Sequence, residues 1–216
     1  MASKAVIRSV IPEGTRILLR KLVPRLTMLD TFMLKDPSLV KEVKQIDSRY
    51  IIREAASADI EALQEAHLQR GPGAFERKVK RRLDAGRWHP LVVIDTTNGK
   101  IAYISWVVTG NPECFREFGI ELSSGGFLLK DVYCVPRYRK QGLHTRMEHE
   151  RINYCVNRGA TEIYIQLHKS NIKGAQFMKR LGFERVGRTL IIQWSYFLVY
   201  RPLGKFLRRP FKRVVD

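Results

Sequence analysis

Val132-Tyr133-Cys134-Val135-Pro136-Arg137-Tyr138-Arg139-Lys140-Gln141-Gly142-Leu143-His144 reads as an apolar strand that runs into a basic, glycine-bearing turn and then opens a helix. The first turn of a helix leaves backbone N–H groups without internal partners. The macrodipole makes that end partly positive, so the main chain alone can hold a diphosphate there. Gly142 lets the backbone come close to such an anion. The stretch therefore predicts a phosphate cradle at the end of a strand.

Working outward, Leu143, Met147, Ile152 and Val156 fall at roughly helical spacing, and Arg158-Gly159 supplies a stop. Residues 161 to 167 (Thr-Glu-Ile-Tyr-Ile-Gln-Leu) then alternate like a strand. Asn171-Ile-Lys-Gly-Ala175-Gln-Phe177-Met178-Lys-Arg-Leu181-Gly182-Phe183 follows. The two stretches, in this order with a strand between them, resemble the two signatures of the GNAT superfamily of N-acyltransferases. The first is the acyl-CoA-binding segment Q/R-x-x-G-x-G/A, whose first two fixed positions are filled by Arg139 and Gly142. Its third position holds His144, a departure from the pattern. The second begins a helix with Asn171 and Ala175 and closes with Gly182-Phe183. An aromatic residue, usually Tyr, commonly sits seven residues after the Asn, where this chain has Met178.

The resemblance implies a mixed α/β (α+β) fold: a central, mostly antiparallel mixed sheet, splayed at the cofactor strand, with helices on both faces. It implies that Val132, Tyr133 and Cys134 pair with the pantetheine arm of acetyl-CoA or a longer acyl-CoA, one N–H polarising the thioester carbonyl. The amides of Lys140, Gln141, Gly142, Leu143, His144 and Thr145 would hold the diphosphate, Arg139 and Lys140 would add charge, and Asn171 would complete the cofactor set. The reaction implied is direct transfer of an acyl group to a primary amine, which needs a carboxylate as general base. Asp131, just before the carbonyl-binding residues, is the first candidate, against the plain reading of a strand-edge charge facing solvent; Glu54 is the second. With Met178 in the usual Tyr position, the proton for the departing thiolate would come from Tyr133, Tyr138, His144 or water.

Composition bounds the rest. The 216 residues suffice for one good-sized core, and 44% of them are hydrophobic. Three cysteines, Cys114, Cys134 and Cys155, with no C-x-x-C pair, point to neither a disulfide framework nor a zinc site. His67, His89, His149 and His168 lack metal-ligand spacing, and Glu148-His149-Glu150 lacks a zinc-protease partner histidine, so no metal is expected. Charged residues and Pro12 interrupt the N-terminal apolar residues, and no later run is apolar enough to span a bilayer. The expected location is cytoplasmic, with peripheral membrane association as a further expectation.

The formal charge of +18 exceeds what a CoA molecule needs for neutralisation. Three kinds of partner fit such an excess beside a small-molecule amine acceptor: an anionic membrane surface, an acyl carrier protein, and, as the weaker alternative, nucleic acid. The competing functional class is a GNAT-fold module of impaired catalysis that binds nucleic acid or a protein through this surface.

Three segments are expected. Residues 1–48 are a basic N-terminal extension, amphipathic over Arg16 to Arg25. Residues 49–200 are the acyltransferase domain, opening on a strand at Tyr50 with a helix capped at Ser57. A second helix runs from Gly73 to Ala85 with a solvated basic face. A hairpin is expected around Thr97-Asn98-Gly99, an insertion over 110–126, and a long strand from Thr189 to Tyr200. Residues 201–216 are a basic, aromatic tail.

Overall fold

The sheet is built around a strand that is apolar on both faces. β4 (Lys100–Thr109) is buried at eight consecutive positions, from Ile101 to Val108, as a strand covered on both sides must be. It pairs antiparallel with β3 (Trp88–Asp95) through the expected hairpin. Asp95 ties that turn, accepting from the Thr97 N–H and hydroxyl and from Asn98. This computed structural model describes residues 25–37, 48–68, 74–111, 113–194, 197–203 and 211–214.

In chain order the other elements are β1 (Arg25–Leu34), β2 (Tyr50–Glu54), α1 (Ile60–Leu68), α2 (Ala74–Asp84), α3 (Glu113–Phe118), β5 (Gly126–Cys134), α4 (Leu143–Val156), β6 (Glu162–His168), α5 (Ile172–Arg180), β7 (Glu184–Trp194), β8 (Phe197–Leu203) and β9 (Phe211–Val214). They form one nine-stranded sheet of order β2-β3-β4-β5-β6-β1-β7-β8-β9. Every pairing is antiparallel except β5 with β6, which α4 joins as the crossover. The fold is the mixed α/β arrangement expected.

Four expectations are corrected. The sheet does not begin at Tyr50. Arg25–Leu34, assigned to the N-terminal extension, is a central strand between β6 and β7, with Phe32 and Leu34 in the core. Tyr50–Glu54 is instead the edge strand. The span from Thr189 to Tyr200 is two strands, because the chain reverses so that Trp194 faces Phe197. Within the C-terminal tail, residues 201–203 and 211–214 are strand, β9 pairing with β8. On α4 the buried stripe is Leu143, Met147, Ile152 and Cys155, while Val156 is exposed. The amphipathic segment over 16–24 and residues 204–210 lie outside the described residues. The turn entering α1 is held by Asp59, which accepts the Ala56 N–H at 2.7 Å and a fork from Arg53; the side chain of Ser57, the expected cap, lies outside the described residues.

Candidate active site

β5 and β6 are in register only from Gly126↔Glu162 to Leu129↔Ile165, and beyond that they part. The reason lies on the other side of β5. Tyr133 faces Ile104 and Lys130 faces Trp106, so two residues, Asp131 and Val132, stand opposite Ser105 alone. Such a bulge bends its strand, and Asp131 takes up the strain at φ 38°. From beneath, Arg151 on α4 donates at 3.3 Å to the carbonyls of both Trp106 and Lys130, the facing pair of β4 and β5 that borders the bulge. Glu148 grips the same guanidinium at 2.7 and 2.9 Å. Both side chains are enclosed, 0% and 1% exposed, so a matched ion pair fixes the fork from within the core.

At the crotch of the fork the Lys130 ammonium donates to Gln166 Oε1 at 3.0 Å and lies 4.8 Å over the Phe118 ring. Gln166 in turn donates to Phe118 O at 3.1 Å, drawing the insertion over the fork. Asp131 is ion-paired with Arg82. Arg82 sits over the indoles of Trp88, at 3.9 Å, and Trp106, at 5.0 Å, and burial pushes its guanidinium below its ordinary value, a shift the Asp131 charge opposes. Arg82 thus departs from the solvated basic face expected of its helix. Its partner is 49 residues away, so no local pattern could have selected it.

The expected cradle follows β5. A 3-10 turn, Pro136–Tyr138, leads to Arg139, whose Nε returns to Cys134 O at 3.2 Å. Lys140 and Gly142 both adopt positive φ, 64° and 75°, separated by Gln141. Left-handed residues alternating with others turn successive N–H groups to one side, forming a concavity suited to an anion. Gly142 is the N-cap of α4, and no side chain caps it, so the amides of Leu143, His144 and Thr145 lack intrahelical partners. A Cβ placed on Gly142 would meet nothing within 4 Å, as befits a surface an anion approaches. The side chain of Gln141 is tied instead to Arg49 and Tyr50, and donates to Arg137 O at 3.3 Å, fastening the turn to the sheet edge. These residues fit a diphosphate.

The imidazole of His144 is engaged by β4 and by α5. Its Nδ1 is 2.6 Å from the Tyr103 hydroxyl, and the ring lies between Tyr103 and Phe177, with centroids 6.1 and 5.5 Å away. Burial pushes the Tyr103 phenol well above its ordinary value. Tyr103 is the residue the sequence reading missed, since it sits mid-strand in an apolar run.

The remaining candidates divide. Val132, Tyr133 and Cys134 lie on β5 beyond the last β6 pairing, and burial raises the Cys134 thiol. Asn171 caps α5, its side chain accepting from the Gly174 N–H at 3.0 Å. Met178 is 2% exposed and packs in the core. Tyr138 is buried with its hydroxyl on Asn98, a lock between the hairpin and the turn rather than a proton donor. Glu54 is three strands from β5, and it pairs with His89 and Arg158. Among the described residues, no group of His, Cys, Asp and Glu could hold a metal ion, and no helix is long and apolar enough to cross a membrane.

The chain matches the model of the acetyltransferase (GNAT) family over residues 58–183, more than half its length. A search of curated proteins finds no match. Among solved structures, a GCN5-related N-acetyltransferase from Sphaerobacter thermophilus superposes with a TM-score of 0.56 at 17% identity, over 83% of this chain and 55% of that one. The tandem GNAT protein from the clavulanic acid biosynthesis pathway gives 0.57 at 16% identity, over 82% of this chain and 57% of that one. AAC(6')-Iy, solved with the bisubstrate analogue CoA-S-monomethyl-acetylneamine, gives 0.50 at 19% identity, over 64% of this chain and 92% of its own. The chain thus spans a little over half the length of the first two. At these identities the likeness is one of fold.

Proposed function

Because the chain belongs to the GNAT acetyltransferase family, we propose that it is an N-acyltransferase that takes an acetyl or longer acyl group from CoA to the primary amine of a small molecule. The observation that carries this reading is the cradle over residues 139–145, with two positive φ angles and an uncapped helix start, directly beyond a strand that has left its neighbour. The main-chain amides of Leu143, His144 and Thr145 bind the diphosphate. The stretch Val132 to Cys134, beyond the β6 pairing, aligns with the pantetheine arm and offers an N–H to the thioester oxygen.

Asp131 stands at the bulge where the acyl carbon would lie and serves as base. The amine nitrogen attacks the thioester carbon, its proton passes to the Asp131 carboxylate directly or through water, and the C–S bond breaks to release the thiolate. Arg82 orients that carboxylate. Tyr133, next to the reacting bond, or water protonates the sulfur. The acceptor class extends to amino acids and amino-sugars, and the CoA-S-monomethyl-acetylneamine analogue bound by AAC(6')-Iy supports the latter. The positive charge suits an acyl carrier protein or a membrane surface as a further partner.

Calorimetric titration with acetyl-CoA tests this proposal, with acyl-CoAs of graded length to fix the donor. Saturable binding that displaces no tightly held nucleic acid is expected, whereas no heat with any acyl-CoA would overturn it. One observation favours a second reading, a catalytically impaired module that binds nucleic acid or a protein: Met178, in the place of the usual proton donor, is wholly committed to the core. That reading predicts CoA binding without turnover on any amine.

A further inference from the structure

α4 closes one face of the fork, where Glu148 and Arg151 are buried against β4 and β5. An amine therefore approaches Asp131 from the opposite face, on which α2 and α3 pack. The bulge decides what it meets there. Neighbours on a regular strand point to opposite faces, but the extra residue at Asp131 breaks that alternation. Lys130 and Asp131 accordingly share one face, and a chain of contacts traces it. Asp131 pairs with Arg82, Arg82 lies over the Trp88 indole, Phe118 stands edge-on to Trp88 at 5.6 Å, and the Lys130 ammonium lies over Phe118.

This face is cationic where an acceptor would arrive. Among its described residues Arg82, Arg87 and Lys130 stand with Asp131 and Glu117, three cations to two carboxylates. Arg82 already holds Asp131, and Arg87 already holds Glu117. Lys80 and Arg81 add exposed positive charge on α2, beside Asp84. Gln166 sets the direction of the Lys130 ammonium: its Oε1 accepts from Nζ at 3.0 Å, while its amide nitrogen is tied to Phe118 O at 3.1 Å. A fixed cation thus stands one residue before the carboxylate that takes the proton. An amine bearing several positive charges is repelled at such a surface, whereas one with a carboxylate close to its nitrogen can turn the nitrogen to Asp131 and the carboxylate to Lys130.

We propose that Lys130 is the anion-recognising residue of the acceptor site, and that the acceptor is a primary amine carrying a carboxylate, of the amino-acid class rather than the polycationic amino-sugar class. The proposal rests on the acyl-CoA reading with Asp131 as base, and it narrows the acceptor that this reading leaves broad. The Lys130 contact is made before and during acyl transfer alike, so its loss falls on KM more than on kcat.

The test measures CoA release from acetyl-CoA with matched acceptors: a set of amino acids, the same amino acids as carboxamides, and two polycations, spermidine and neamine. Rates are referred to the free-base fraction of each amine. The wild type should favour the acids over their amides by about tenfold in kcat/KM, chiefly through KM, and should use the polycations least. Lys130→Met should cut the acid-to-amide ratio by about tenfold, and Lys130→Arg should restore most of it. Lys130 is partly buried, so the wild-type ratio is the deciding readout if the Met variant does not fold. An acid-to-amide ratio near one in the wild type, faster turnover of either polycation, or an unchanged ratio in folded Lys130→Met would overturn the inference. Turnover of no amino acid, although acetyl-CoA binds, would overturn it as well. Failure of the wild type to bind acetyl-CoA would instead remove the acyl-CoA reading itself.

Discussion

Lys140 and Gly142 reach positive φ, and they matter for different reasons. At Gly142 a side chain would have room, so what glycine supplies is the backbone angle and an open approach for an anion. Asp tolerates the left-handed region better than most residues, which makes Gly142→Asp a clean probe. Its melting temperature should stay close to the wild type's, while CoA affinity falls about a hundredfold because a carboxylate meets the phosphates. Equal affinity in the two proteins, measured by calorimetry, would contradict the cradle. Asp131→Asn tests the chemistry, since Asn also accepts the angle at φ 38°. It should lower kcat about a hundredfold with the CoA Kd unchanged. Retained kcat would leave Asp131 as the partner of Arg82 alone.

Among the elements, α4 carries most of the argument, offering its N-terminus to the cradle and its second and third turns to the β5 bulge through Glu148 and Arg151. Arg151→Met strands a buried carboxylate and two strand carbonyls, and chemical denaturation should register a loss of about 3–5 kcal/mol. A loss under about 1 kcal/mol would deny the pair its role at the fork. The cysteines give a milder test. Burial pushes the Cys155 thiol up to about 12 and raises Cys114 and Cys134 as well, so all three are thiols rather than thiolates at neutral pH. Cys134 alone is partly accessible. Alkylation followed by mass spectrometry should mark Cys134 first, and acyl-CoA should slow it; labelling of Cys155 in the native protein would contradict the packing of α4.

The elements around residues 88–183 were legible because each rests on a local pattern: the Asn98-Gly99 hairpin, the Gly142 turn and the Asn171 cap. β1 was not, because its pairing of Phe32 with Ile165 and of Met28 with Leu190 depends on strands more than a hundred residues away. The Arg82–Asp131 and Tyr103–His144 contacts stayed hidden for the same reason. They join elements whose spacing in the chain says nothing of their spacing in the sheet.

Across the whole molecule, β1 completes the sheet between β6 and β7, so the domain does not start where the family match does. A chain beginning at residue 49 should fail to fold cooperatively, since β6 and β7 would each expose an unpaired edge inside the core. A sharp thermal transition in that truncated chain would show that β1 is dispensable. The account depends above all on main-chain amides at the start of α4 gripping a diphosphate. Titrating CoA into the 15N-labelled protein reads those amides one by one. Leu143, His144 and Thr145 should show the largest shifts, saturating with the calorimetric Kd, and CoA binding that leaves these three resonances in place would contradict the account.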